Sequence, residues 1–150
     1  MNEAVSHGGI VLAYIGDAVL EILIRERLVS LGMNDTGEMS RVAQSLICAP
    51  AQSARMEKLF PMLTEEEEAV YRLGRNHHTN SKPKKATAAE YHRATGMEAV
   101  FGYLHFSGET ERIRELFEAA YGDIYENLLN RISKNLKKCK KLYSCDAKNC

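Results

Sequence analysis

Residues 10–31 have the sequence IVLAYIGDAVLEILIRERLVSL, which is apolar on nearly every side until Arg25. Such a run predicts one long helix at the buried centre of a fold, because apolar side chains around a whole helix have to be covered on all sides. Gly32 follows the run and is typical of a helix C-terminus. The longest apolar stretch, residues 10–24, is too short, and with Asp17 and Glu21 too acidic, to span a bilayer, so we expect no membrane partner.

The rest of the chain also predicts helices and shows no convincing strand pattern. Pro50 suits the first turn of a helix, and Thr64 followed by four glutamates is typical of a capping box. A polar loop is predicted over residues 77–85, and Ser107 with Gly108 predicts a break. The further helices are expected over residues 38–48, 50–60, 65–76, 87–106, 109–120 and 122–138. The fold class is therefore predicted to be all-α.

The length of the chain favours a single domain. A chain of 150 residues can bury its own core, and a hydrophobic content of 45% indicates a globular protein and not a disordered one. We expect residues 1–138 to form one helical domain and residues 139–150 to form a flexible basic tail. The N-terminal residues do not resemble a secretion signal, so the expected location is the cytoplasm.

The net charge of zero hides a strong segregation of charge. Residues 131–150 carry seven basic residues against one acidic residue, a net charge of +6, and the rest of the chain carries −6. Within that acidic body, residues 72–93 have a net charge of +5 and include three histidines. Local basic clusters of this kind favour a polyanionic ligand such as a nucleic acid.

The four cysteines are not predicted to form a metal site. Cys139, Cys145 and Cys150 lie in the lysine-rich tail, and Cys48 lies far from them in the sequence. Zinc sites usually show closer cysteine pairs or paired histidines, which this chain lacks. We therefore expect reduced thiols and no disulfide framework.

Two carboxylates lie in apolar helical segments, where an acid is costly unless something satisfies it. Asp17 lies in IGDAVLE and Glu98 in ATGMEAVFGYLHF, and each has a glycine nearby, Gly16 and Gly102. A glycine removes a side chain and lets another helix or a ligand approach closely. A cation shared by both helices would satisfy the two acids together, whereas salt bridges would satisfy them separately. The residues alone leave both interpretations open.

These segments resemble motifs of the ribonuclease III family. LAYIGDAVLE at residues 12–21 resembles the family signature, whose usual form is close to LEFLGDAVL, and ATGMEAVFGYLH at residues 94–105 resembles the second acidic motif. The stretches APAQS, LTEEEEAVYRLGRN and PKKATAAEYHRATGMEA, at residues 49–53, 63–76 and 83–99, resemble the Mini-III branch. This compact bacterial branch lacks a separate double-stranded-RNA-binding domain. The resemblance spans roughly residues 10–121, and the order and spacing of the motifs make it specific.

The chain departs from the larger ribonuclease III enzymes at two positions. Those enzymes carry two further acids, where this chain has Ala13 and Thr95. Mini-III enzymes share the reduced acidic set, so the departures agree with that branch. The resemblance therefore carries over only Asp17 and Glu98, as magnesium ligands and catalytic residues. It implies a small site that the phosphate oxygens of the RNA complete.

The resemblance implies a Mg²⁺-dependent endoribonuclease that cuts double-stranded RNA and leaves 5′-phosphate and 3′-hydroxyl ends. It also implies an all-helical homodimer with one catalytic site per subunit. The expected substrate is the precursor of the large ribosomal RNA, with a ribosomal protein as a further partner. Contacts to the duplex are expected through phosphates and 2′-hydroxyls. The expected RNA-binding residues are Arg72, Arg75, Asn76, Lys82, Lys84, Lys85 and Arg93.

Two other functions remain as alternatives. A catalytically inert dimer of the same fold would bind structured RNA or ribosomal components, and the missing acids at Ala13 and Thr95 favour it. A helical phosphohydrolase acting on nucleotides would normally use an HD ligand pair, and the chain has no HD dipeptide. The three histidines of the basic segment, His77, His78 and His92, could add contacts to RNA, but they are expected to be ordinary surface residues.

Overall fold

The computed structural model describes residues 7–78, 84–124, 126–130, 133, 134 and 137. These residues form helices and no strand, which confirms the all-α prediction. The chain divides into two compact units, residues 1–120 and 121–150. The second unit is helical at residues 123–124 and 126–130, inside the helix predicted over residues 122–138. The tail predicted over residues 139–150 lies outside the described residues, so the division at residue 138 stays a prediction.

Six α-helices of the described chain begin and end close to their predicted bounds. The 3₁₀ helix Phe60–Met62 is an addition that the pattern did not predict. It contains Pro61, whose ring prevents α-helical continuation of the preceding segment. None of the described helices has the length and apolar content needed to cross a membrane. The six are α1, Gly9–Ser30; α2, Thr36–Ile47; α3, Ala49–Leu59; α4, Glu65–Arg75; α5, Ala88–Phe106; and α6, Thr110–Tyr121.

Side chains next to the helix ends explain where several helices begin. Thr64 Oγ1 accepts a hydrogen bond from the Glu67 amide at 3.2 Å, and the Glu67 carboxylate accepts one from the Thr64 amide at 2.9 Å. This confirms the capping box predicted for α4. Thr87 and Glu90 form the same arrangement at the start of α5. The break predicted after α5 is also present, because Gly108 has a positive φ of 71° that favours glycine.

Helix α5 lies at the centre of the first unit. Ten of its residues between Ala94 and Leu104 are buried, and α1, α3 and α4 all pack against it. Its partnership with α1 is the most extensive. Asp17 on α1 and Glu98 on α5 therefore lie on two helices that pack directly against each other.

Helix α1 is buried on one side only, so the prediction that it is covered on all sides is wrong for the described chain. Leu12, Leu20 and Ile24 are at most 1% exposed and face the core. Tyr14 and Ile22 are 79% and 53% exposed, and they belong to a stripe along the opposite side. The apolar composition of α1 therefore has two causes, a core-facing side and an uncovered apolar stripe. The large members of the stripe are Val11, Tyr14, Ile22 and Val29.

A buried ion pair joins α4 to α6. Glu67 is 4% exposed, and both of its carboxylate oxygens accept hydrogen bonds from Arg112 at 2.9 Å. Arg112 also donates to the backbone carbonyl of Met62 at 2.6 Å. Burial opposes ionisation of Glu67, but the hydrogen bonds from Arg112 and Thr64 lower its pKa overall. The acid that caps α4 is therefore also held by α6.

Candidate active site

Asp17 lies on α1 at the border between the buried side and the exposed stripe. The residue as a whole is exposed, yet partial burial of its carboxyl group raises its pKa, and the neighbouring Glu21 carboxylate raises it further. Glu21 itself forms an ion pair with Arg25. Asp17 is therefore accessible to a ligand from solvent while its negative charge is disfavoured.

Glu98 lies on the facing helix α5 and is more buried. Burial and the negative charge of Asp17 together raise the pKa of Glu98 to about 8, and the side chain of Gln52 partly opposes this shift. The two acids that the sequence singled out are thus brought within electrostatic reach of each other. Their charges repel, so each makes the other harder to ionise.

Among the described side chains, no lysine, arginine or histidine forms an ion pair with Asp17 or Glu98. Five of the described arginines, Arg25, Arg27, Arg72, Arg112 and Arg114, pair with other carboxylates instead. The interpretation in which structural salt bridges satisfy the two acids therefore receives no support from the described residues. A pair of carboxylates that lacks a positive partner is suited to a cation from solution.

Two glycines allow the helices that carry the acids to touch through their backbones. A Cβ built on Gly16 would lie 1.6 Å from the carbonyl oxygen of Glu98. A Cβ built on Gly102 would lie 1.9 Å from the carbonyl oxygen of Leu12. Any side chain at either position would force α1 and α5 apart, so the glycines next to the acids are required for close helix packing, as the sequence predicted.

Gln52 on α3 acts on Glu98, although no sequence motif singled it out. Its side chain is 1% exposed and lies close enough to Glu98 to lower the pKa of that acid. Its Nε2 nevertheless has no hydrogen bond of good geometry to any described atom. A signal was available, because Gln52 shares a buried helix face with Met56 and Leu59, at a spacing of four and then three residues.

Ala13 and Thr95, the two positions that lack an acid, provide no further carboxylate ligand for a metal ion. Ala13 is buried at 2% exposure. Thr95 is also buried, and its hydroxyl donates to the backbone carbonyl of Tyr91 at 2.9 Å. Within the described chain, no three His, Cys, Asp or Glu residues come together as a metal-binding group. Of the four cysteines, Cys48 is a free, exposed thiol, and the other three lie outside the described residues.

Part of the predicted RNA-binding set lines a cavity of about 510 Å³ between the end of α4 and the start of α5. Arg75, Asn76 and Arg93 line it together with His77, His78 and His92. The histidines therefore contribute to a defined concave surface, which the sequence analysis did not anticipate. Tyr71 completes the wall, and the charges of Arg75 and Arg93 act on its hydroxyl, whose pKa is raised by burial.

Arg93 is held in place from α3. Its Nε donates a hydrogen bond to Ser53 Oγ at 2.8 Å, and Ser53 is 2% exposed. The fixed side chain gives the cavity a positively charged group of defined orientation.

The other described members of the predicted RNA-binding set are not among the residues that line the cavity. Arg72 is paired with Glu68 on the surface of α4, and Lys84 and Lys85 are exposed. Lys82 lies outside the described residues. The structure thus brings three of the seven predicted residues to one concave surface and leaves three others exposed near it in sequence.

Comparisons with known proteins identify the family. The Ribonuclease III domain profile matches residues 10–109. Mini-ribonuclease 3 of Symbiobacterium thermophilum is 44% identical over 109 residues, which cover 73% of this chain and 84% of the relative. Mini-ribonuclease 3 of Enterococcus faecalis is 44% identical over 118 residues, covering 77% and 89%. A crystal structure of a Fusobacterium nucleatum protein superimposes with a TM-score of 0.74 at 26% identity, covering 81% and 93%.

The matched residues include both acidic segments and most of the described helices. The helical fold, the two motifs and the relatives agree on one assignment. The chain belongs to the ribonuclease III family, and within it to the Mini-ribonuclease 3 group of ribonucleases.

Proposed function

We propose that this ribonuclease is a Mg²⁺-dependent endonuclease that cuts double-stranded RNA, with Asp17 and Glu98 as the metal ligands. The observation that carries the proposal is the carboxylate pair itself. Two acids from facing helices repel each other, one of them is mostly buried, and no described basic side chain neutralises them. A divalent cation removes that repulsion.

The donor set fits magnesium. Mg²⁺ prefers oxygen ligands, retains several waters and typically takes only one or two carboxylates from a protein. Asp17 is accessible from solvent, so a phosphate oxygen and water can complete the coordination. Once bound, the ion supplies an activated water and neutralises negative charge that develops on the phosphodiester.

The chain's own residues contribute orientation and charge. Asp17 and Glu98 act as ligands and not as general bases, because a carboxylate committed to a cation has little tendency to accept a proton. The contact between Gly16 and Glu98 fixes the separation of the two helices. Cleavage breaks the bond between phosphorus and the 3′-oxygen, which leaves a 5′-phosphate on one product and a 3′-hydroxyl on the other.

The cavity beside α4 and α5 supports the RNA part of the proposal. Arg75 and Arg93 supply positive charge in its wall, and Arg93 is held there by Ser53. Lys84 and Lys85 supply exposed charge close to Arg93 in the sequence. Side chains cannot reach into the deep major groove of A-form RNA, so contacts to phosphates and 2′-hydroxyls are the expected mode of binding. Arg72, Asn76 and Lys82 belong to the same proposed surface.

The functional unit is proposed to be a homodimer in which each subunit cuts one strand. The exposed apolar stripe on α1 supplies a surface that a second subunit can cover, with Tyr14 as its most exposed large side chain. The natural substrate is proposed to be the precursor of the large ribosomal RNA in the cytoplasm, with a ribosomal protein as an additional partner. Light scattering of the purified chain tests the dimer directly.

The decisive experiment is a cleavage assay on a long RNA duplex with and without Mg²⁺. Single-stranded RNA of the same sequence and duplex DNA serve as comparison substrates. We expect cleavage of the RNA duplex alone, only with Mg²⁺, and products that carry 5′-phosphates. Tight duplex binding without any cleavage would instead indicate the catalytically inert alternative.

A further inference from the structure

We propose that Gln52 is a positioning residue that donates a hydrogen bond from Nε2 to the Glu98 carboxylate and so orients this acid toward a divalent cation. The inference rests on the proposed function, since it assigns a role beside the proposed ligand. It concerns a residue on a third helix, α3, which neither acidic motif contains.

Gln52 is buried although its side chain is polar. Gln52 is 1% exposed and shares a buried helix face with Met56 and Leu59, a position typical of apolar side chains. Burying an amide without hydrogen bonds costs free energy that a leucine or methionine would not cost. The amide therefore needs a compensating partner.

Glu98 is the candidate partner of the buried Gln52 amide. Gln52 Nε2 is the one buried polar side-chain atom of the described residues that has no hydrogen bond. Helix α3, which carries Gln52, packs against α5, which carries Glu98, and the Gln52 side chain acts on the Glu98 carboxyl group as a hydrogen-bond partner. A small adjustment of either side chain completes a charge-assisted hydrogen bond, which is stronger than one between neutral groups.

The Glu98 carboxylate can accept a hydrogen bond and bind a cation at the same time. Glu98 has two oxygens, and no described basic residue occupies either. If one oxygen accepts from Gln52, the other remains for the cation. Ligands held in this way by an outer hydrogen bond bind metal more tightly, and removal of the outer partner typically weakens metal binding about ten- to hundredfold.

The test replaces the amide by an apolar side chain of similar length, Gln52→Met. Mn²⁺ binding to the RNA-free protein is measured by electron paramagnetic resonance, and the Mg²⁺ dependence of duplex cleavage is measured in parallel. We expect the Mn²⁺ dissociation constant and the half-saturating Mg²⁺ concentration to rise about ten- to hundredfold. The cleavage rate at saturating Mg²⁺ should fall much less, because the cation supplies the chemistry once bound.

Gln44→Met is the matched control, because Gln44 is an exposed glutamine on α2. It should leave Mn²⁺ affinity within twofold of the unchanged protein. Unchanged Mn²⁺ affinity in a folded Gln52→Met protein would overturn the positioning role while leaving the proposed function intact. Absence of Mn²⁺ binding in the unchanged protein would instead overturn both.

A second measurement covers the case in which Gln52→Met does not fold. In the ¹⁵N-labelled unchanged protein, the side-chain amide signals of Gln52 are followed as Mg²⁺ is added. They should shift in the unchanged protein and stay fixed in Glu98→Gln. Gln52 side-chain signals whose chemical shifts do not change when Mg²⁺ is added to the unchanged protein would refute the inference.

Discussion

Gly16 of α1 and Glu98 of α5 touch through their backbones, so closely that a Cβ on Gly16 would lie 1.6 Å from the Glu98 carbonyl oxygen. This contact joins the residue next to Asp17 to the other acid of the pair. The distance between the helices is therefore set by main-chain atoms, which cannot change rotamer. The spacing of the two backbone segments that carry the carboxylates is correspondingly fixed.

Gly16→Ala tests this contact. The added methyl group cannot be accommodated without moving α1 away from α5, so we expect a loss of unfolding free energy of about 3 kcal/mol or more. Chemical denaturation followed by circular dichroism measures the loss. Gly8→Ala is the control, since a Cβ on Gly8 meets no atom within 4 Å. Equal stability of the two variants would show that the helices do not pack this closely.

Asp17→Asn and Glu98→Gln test the catalytic assignment. Each keeps the size of the side chain and removes the charge of one proposed metal ligand, so cleavage of duplex RNA should fall by roughly a thousandfold or more. Duplex binding and the helical circular dichroism signal should persist. Glu26→Gln, at an exposed position of the same helix as Asp17, should retain full activity. Appreciable turnover by either site variant would remove that acid from the mechanism.

The stability of the metal-free protein should depend on pH through Glu98. Its pKa is about 8 in the folded chain, against an ordinary value of 4.5, so between these values the folded state binds more protons than the unfolded state. The stabilisation from this group is fully present below pH 4.5 and is lost as pH rises through 8. Denaturation in a chelator at pH 5.5 and pH 8.5 measures the change.

Glu98→Gln provides the comparison for that pH series. It removes the titrating group, so its stability should change much less than that of the unchanged protein between the same two pH values. Addition of Mg²⁺ should restore stability to the unchanged protein at the higher pH, since the cation favours the ionised acids. Parallel curves for the two proteins would show that Glu98 titrates normally.

Neutralisation of Lys84 and Lys85 together tests the RNA surface. Both are exposed, and loss of two phosphate contacts should weaken duplex binding and reduce the slope of log affinity against log salt by up to roughly 1.8. Arg41→Gln with Arg114→Gln removes the same charge from α2 and α6 and serves as the control. A slope equal to that of the unchanged protein would exclude the two lysines from the interface.

Arg112→Met tests the buried ion pair between α4 and α6. The substitution leaves Glu67 buried without its positive partner, which typically costs about 3–5 kcal/mol. Adding Glu67→Gln in the same chain should recover much of the stability, because no uncompensated charge remains. Thermal unfolding of the two variants measures the difference. If Arg112→Met alone were as stable as the unchanged protein, solvent would be compensating the charge of Glu67 as well as Arg112 does.

The helices could be predicted because their signals are local. Thr64 and the glutamates after it define the start of α4, and Gly108 marks the end of α5, without reference to distant residues. The two acids could be recognised for a related reason, since Asp17 and Glu98 are each a charged residue in an otherwise apolar segment. Their proximity to each other became visible only in the packing of α1 against α5.

The remaining features depend on contacts between separate helices. The pattern of α1 does not distinguish a core from an uncovered apolar stripe, because both require the same residue types, and Tyr14 was therefore wrongly expected to be buried. Gln52 was missed because its relation to Glu98 joins residues far apart in sequence. His92 was assigned to the open surface for the same reason, although it lines the cavity with Arg93.

Consecutive residues of α3 reach two different parts of the molecule. Gln52 acts on Glu98, while Ser53 accepts the hydrogen bond that fixes Arg93 in the wall of the cavity. One turn of α3 thus supports both the proposed metal site and the proposed RNA-binding cavity. Protein engineering aimed at substrate preference alone should leave this dipeptide unchanged and vary the exposed lysines, since any shift of α3 would disturb both the carboxylate pair and the wall of the cavity.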